Sequence, residues 1–65
     1  MRIEINGTSQ EVEADTLDAV LEELGHPRES VATALNGEFV PRGERGDTRL
    51  REGDRVEVLA PMKGG

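Results

Sequence analysis

Apolar and polar residues alternate from the start of the chain. Ile3 and Ile5 fall on one side of residues 1–6, Arg2 and Glu4 on the other, the period-two pattern of a half-buried strand. Asn6-Gly7 follows, a pair that accepts the positive φ of a tight hairpin turn. From Ser9 to Ala14 the alternation resumes, with Val12 and Ala14 opposed to Glu11 and Glu13, so the first two elements predict a β-hairpin. The period then lengthens. Leu17, Val20, Leu21 and Leu24 recur at i, i+3, i+4 and i+7, one stripe of a helix. Asp15 or Thr16 stands where an N-cap belongs, and Asp18 adds negative charge to the first turn. Gly25 supplies a left-handed stop and Pro27 blocks continuation. A helix of roughly two turns is unstable alone, so its leucine stripe has to pack on a sheet.

Residues 31–36 predict a third strand, whose core face is either Val31-Thr33-Leu35 or Ala32-Ala34; the pattern leaves both open, and a central strand would cover both. Asn36-Gly37 marks a second turn, and Phe39-Val40 resumes the sheet until Pro41. Residues 41–49 are polar and rich in Arg and Gly, which predicts a loop, and Leu50 is an isolated apolar anchor. After the Glu52-Gly53-Asp54 turn, Arg55 to Ala60 form the last strand, Val56 and Val58 inward, Glu57 and Leu59 on the opposite side. The expected organisation is one domain over residues 1–60 and a flexible tail over residues 61–65. The element order β-β-α-β-(β)-β predicts an α+β domain, a mixed four- to five-stranded sheet with one main helix on one face. Pairing the first strand with the last places both in the middle of the sheet, which is the β-grasp, or ubiquitin-like, architecture.

Composition narrows what such a domain does. A chain of 65 residues buries only about 60% of its unfolded surface, leaving no room for a second domain or a deep cleft. An enzyme acting alone is not expected. There is no cysteine, hence no disulfide framework and no thiolate metal site, and a cytoplasmic protein held by ordinary core packing is the expectation. The apolar runs are far short of a membrane span, and the opening residues carry no signal-peptide pattern. Acidic residues outnumber basic ones 14 to 8, and Phe39 is the single aromatic, so neither phosphate attraction nor base stacking favours nucleic acid. The charge is uneven: residues 1–26 hold seven acids against Arg2 alone, whereas residues 27–65 balance seven against seven. Such a bipolar surface can orient a protein partner. His26, the single histidine, precedes Pro27 at the predicted helix end and reads as a capping or surface residue rather than a ligand.

The chemistry worth weighing lies in the last residues. Gly64 and Gly65 carry no Cβ, so a carboxylate behind them can be threaded through a narrow channel into another protein's active site. Pro61 keeps that segment out of helix. This suits activation of the terminal carboxylate as an acyl-adenylate, followed by attack of a sulfur or other nucleophile. A frayed glycine end is the competing reading. Leu59, Met62, Phe39 and Arg42 are the candidate partner-binding residues beside the tail, although for Phe39 a place in the core weighs more than docking. The arginines at 42, 45, 49, 51 and 55 read as mostly solvated, with one or two at an interface.

Three segments bear a family resemblance. Residues 34–42, Ala-Leu-Asn-Gly-Glu-Phe-Val-Pro-Arg, resemble the "ALNG…VPR" stretch of the ThiS-type sulfur carriers of thiamine biosynthesis, in the ThiS/MoaD superfamily. Residues 50–58 resemble the family's "L..GD.VE." segment, and Pro61-Met62-Lys63-Gly64-Gly65 resembles its tail. A departure is Arg45, where many members carry an aromatic. The resemblance implies a protein co-substrate, monomeric when free and binding no cofactor of its own. A ThiF-type adenylyltransferase would adenylate Gly65 with ATP and magnesium, a persulfide protein would supply sulfur for a thiocarboxylate, and a ThiG-type thiazole synthase would accept it. The alternatives are the small subunit of a molybdopterin synthase, a ubiquitin-like protein modifier, and an interaction module whose tail is inert.

Overall fold

A computed structural model describes residues 1–60. Five strands, β1 (Arg2–Ile5), β2 (Thr8–Glu11), β3 (Ala32–Leu35), β4 (Glu38–Val40) and β5 (Arg55–Leu59), form one sheet in the order β2-β1-β5-β3-β4. The helix α1 (Leu17–Glu23) covers one face. β1 runs parallel to β5, in register Ile5 to Val56, and every other neighbour is antiparallel. The first and last strands therefore meet inside the sheet, as the element order predicts.

Strand alternation sets the core. Ile3 and Ile5 of β1, Val56 and Val58 of β5, Thr33 of β3 and Val40 of β4 are all buried on the helix side. Thr33 lies opposite both Val58 and Val40, so the residue pairs across the sheet keep one face throughout. Against them α1 sets Leu17, Val20 and Leu21, with Leu24 half-buried beside them. This settles the open choice in β3: the Val31-Thr33-Leu35 side is the core face, and Ala32 is exposed on the other.

Local chemistry explains the element ends. Thr16 is the N-cap, its hydroxyl accepting from the Ala19 N–H at 3.2 Å. At the other end the His26 N–H reaches the Leu21 carbonyl and the Gly25 N–H that of Glu22, with Gly25 at φ +79°, a Schellman closure. His26 thus caps through its backbone and is half-buried. Both Asn-Gly turns have the two positive φ values of a type I′ hairpin, 50° and 86° at Asn6-Gly7, 50° and 87° at Asn36-Gly37.

Two expectations need correction. β2 ends at Glu11, short of the predicted Ala14, because β1 has no residue left to pair beyond Met1. Val12 is buried and exchanges hydrogen bonds with Met1, and the N–H groups of Glu13 and Ala14 turn to the Glu23 carboxylate at 2.9–3.1 Å. These bonds, first from Glu13 and then from Ala14, hold the Glu23 carboxyl below its ordinary pKa of 4.5.

The second correction concerns the predicted loop after Pro41, which is a 3₁₀ helix over Arg42–Asp47 with Arg45 only 2% exposed. Arg45 donates from Nε to Thr33 Oγ1 at 2.9 Å, from Nη1 to the Arg28 carbonyl at 2.8 Å and from Nη2 to the Val31 carbonyl at 2.6 Å. The Thr33 hydroxyl in turn donates to the Val40 carbonyl at 2.9 Å. The donors of the planar guanidinium are thus received by neutral oxygens. Arg45 thus ties β3 and the Arg28–Ser30 turn to the 3₁₀ segment, and it is a core residue rather than a solvated or interfacial one. Leu50 is the anchor its isolation suggested, buried against the core, with its N–H on the Asp15 carbonyl.

Candidate partner-docking face

The side of the sheet away from α1 has no covering layer among the described residues. Alternation places Ala32 and Ala34 of β3, Phe39 of β4, and Arg55, Glu57 and Leu59 of β5 there. Ala34 lies opposite Phe39 on one side and Glu57 on the other, while Ala32 lies opposite Leu59. The two alanines are small, so the large side chains flanking them stand clear of the sheet. Phe39 is 68% exposed and Leu59 64%. The expectation that Phe39 belongs to the core is therefore wrong. Val40, opposite Thr33, takes an inward position, and period-two alternation turns its neighbour Phe39, opposite Ala34, to the other face.

A shallow groove of about 330 Å³ continues from this strip. It is lined by Glu29, Ser30, Val31, Ala32, Leu59 and Ala60, mostly through apolar atoms. It ends where the described chain ends, at the point from which residues 61–65 continue. Of the four candidate partner-binding residues, the structure brings Leu59 to this groove and Phe39 to the same open face. Arg42 is exposed but faces a neighbouring, polar cleft with Asp18, Arg28, Glu29, Gly43 and Gly46. Glu29 is the residue the two depressions share. Met62, Gly64 and Gly65 lie outside the described residues.

Electrostatics divide the molecule further. Arg28 bridges to Asp18 at 3.0 Å, Arg49 to Asp15 at 3.1 Å and Arg2 to Glu11 at 3.2 Å, while Arg42, Arg51 and Arg55 have no carboxylate partner among the described residues. Asp54 instead accepts the Arg51 N–H at 2.8 Å and the Asn36 amide at 3.1 Å, which fixes the Gly53-Asp54 turn before β5. Among the described residues no cluster of His, Asp or Glu is arranged to hold a metal ion, and no helix is long and apolar enough to cross a membrane. Sequence reasoning missed Arg45 as a core residue. Its only signal was negative, an arginine between Gly43 and Gly46 in a segment with no apolar period.

What the chain resembles agrees with this geometry. The ThiS family model matches residues 3–65. The sulfur carrier protein ThiS of Thermus thermophilus is 46% identical over 61 residues, covering 94% of this chain and 95% of that one. The crystal structure of the thiamine biosynthesis protein ThiS from Geobacter metallireducens superposes with a TM-score of 0.85 at 33% identity, each chain covered in full. A thiazole synthase of Paramagnetospirillum magneticum matches all of this chain at 35% identity, which spans 20% of that protein's length. With one fold, one register and a match running the length of the chain, the protein belongs to the ThiS family.

Proposed function

We propose that the protein is a sulfur carrier of thiamine biosynthesis, acting in the cytoplasm as a co-substrate of partner enzymes, with residues 61–65 as the tail that enters their active sites. The observation that carries this reading is the 46% identity, over nearly the whole of both chains, to a sulfur carrier protein. In the proposed cycle the Gly65 carboxylate attacks the α-phosphorus of ATP on a ThiF-type adenylyltransferase, and pyrophosphate leaves. The sulfur of a persulfide then displaces AMP from the acyl carbon. A thiol cleaves the resulting sulfur–sulfur bond, and the thiocarboxylate is handed to a ThiG-type thiazole synthase. ATP and magnesium belong to the activating enzyme in this scheme.

The geometry supports the division of labour. Leu59 to Gly65 is six residues of chain, a reach of at most about 20 Å from the docking strip to the reacting carbon. Phe39 and Leu59, bare beside the tail's origin, supply the apolar anchors for the partner. The same unit occurs as a fifth of a thiazole synthase chain, which supports that enzyme as the recipient. Intact mass spectrometry of the protein from cells tests the reading. The expected result is a fraction heavier by one oxygen-to-sulfur replacement at the terminal carboxylate, absent after deletion of Gly65, with the melting temperature unchanged. Isopeptide-linked Gly-Gly remnants on other proteins would favour a modifier instead, and co-purification with a molybdopterin synthase large subunit would favour that pathway.

A further inference from the structure

The parallel contact between β1 and β5 is short. Glu4 donates to the Asp54 carbonyl and Asn6 to the Val56 carbonyl, both at 2.9 Å, and β1 then turns away at Asn6-Gly7 into β2. β5 continues three residues further, to Leu59. Its other edge is held by β3 up to the Ala32–Leu59 pair. On the edge that β1 has left, the Val58 backbone is met by a side chain. Asn6 Oδ1 accepts from the Val58 N–H at 2.8 Å, and Asn6 Nδ2 donates to the Val58 carbonyl at 3.0 Å. The carboxamide has the donor and acceptor of a peptide unit, and it extends the ladder by one rung where no backbone is left to do so. Val58 lies two residues before Ala60, the last described residue.

The second Asn-Gly turn is a matched contrast. Asn36 has the same φ of 50°, and its Oδ1 also accepts from a β5 N–H, that of Arg55 at 2.9 Å, with Nδ2 on Asp54. It fastens the opposite end of β5, remote from the tail.

We propose that Asn6 is a positioning residue: its carboxamide splints the last rung of β5 and so fixes where, and in which direction, the tail leaves the domain for the enzyme that activates it. This rests on the carrier reading above. With the splint in place the enzyme meets a tail of fixed origin beside Leu59. Without it the final residues of β5 hold by the β3 edge alone, and the ordering has to be supplied on binding.

The test compares Asn6→Gly with Asn36→Gly in the full chain. Glycine keeps the positive φ and the type I′ turn while removing the carboxamide, and the backbone freedom it adds is common to both variants. Amide hydrogen exchange at Val58 is expected to accelerate in Asn6→Gly and to stay as in the wild type in Asn36→Gly. With an ATP-dependent enzyme that adenylates the carrier's carboxylate, the KM for the carrier is expected to rise about tenfold in Asn6→Gly, the equivalent of one to two net hydrogen bonds, with kcat little changed. Asn36→Gly should leave both parameters near wild type. Asn6→Asp, which keeps the acceptor for the Val58 N–H but sets an oxygen against the Val58 carbonyl, should fall between wild type and Asn6→Gly. Equal KM values in the two glycine variants, or undiminished protection of Val58 in Asn6→Gly, would overturn the proposal. A wild-type chain that no such enzyme adenylates sinks the carrier reading instead, and the exchange measurement still decides whether Asn6 fixes the end of β5.

Discussion

The two faces of the sheet are built from the same strands and have opposite fates. On the helix side Ile3, Ile5, Val56 and Val58 are between 1% and 6% exposed. On the other, Phe39 and Leu59 are left bare one residue away from the buried Val40 and Val58. Period-two alternation thus separates packed side chains from bare ones within a single strand. A substitution on one face should change stability and leave docking alone, and the reverse should hold for the other.

The largest expected effect tests the packed face. Leu21→Ala removes a side chain with no exposed surface and should destabilise the fold by about 2–5 kcal/mol, measured by urea denaturation. A loss below about 1 kcal/mol would mean that the α1 stripe is not the core it appears in the structure. Next comes Arg45. Replacing it with Met keeps most of the volume but leaves the Arg28 and Val31 carbonyls and the Thr33 hydroxyl without their donor, an expected cost of about 2–3 kcal/mol. Arg45→Lys should recover little, since an ammonium cannot reach three oxygens in one plane. On the bare face, Phe39→Ser and Leu59→Ser should each weaken affinity for the partner enzymes by about 1–2 kcal/mol in calorimetric titration. Their unfolding midpoints should stay within about 0.5 kcal/mol of wild type.

The smallest effect is a pH dependence at the helix end. The folded pKa of Glu23 lies below its ordinary 4.5, so its contribution is fully present above 4.5 and is lost as pH falls through the lowered folded value. Glu23→Gln should therefore flatten the acid limb of the stability profile in that window, and thermal melts between neutral pH and strong acid would show it. An unchanged acid limb would mean that the bonds to Glu13 and Ala14 do not persist in solution.

The scaffold was legible in the sequence because each of its elements has a local cause. Alternation gave β1 and β5, the leucine stripe gave α1, Gly25 gave its stop, and two Asn-Gly pairs gave the hairpins. The pattern over residues 31–36 is mixed, and Thr33 became core only because Arg45 and the Val40 carbonyl satisfy its hydroxyl, a long-range fact no local window contains. Phe39 was misjudged for a related reason. A large aromatic is usually interior, but the β3–β4 register sets Val40 on the core face opposite Thr33 and so turns Phe39 outward. The open face was half visible: Leu59 was read on the outer side, yet the strip that joins it to Phe39 depends on the β3–β4 and β3–β5 registers. The chemistry proposed for residues 61–65 rests on residue type, two glycines behind a proline, together with family likeness.

The outer edges of the sheet carry a last consequence. β4 is three residues long and is followed at once by Pro41, whose nitrogen has no hydrogen to offer, and β2 presents only Thr8, Ser9, Gln10 and Glu11. Neither rim offers a long, greasy template on which another copy's backbone could add itself. A small protein that leaves an aromatic and a leucine uncovered is thereby guarded against growing into filaments, because both rims of its sheet are poor templates for strand addition.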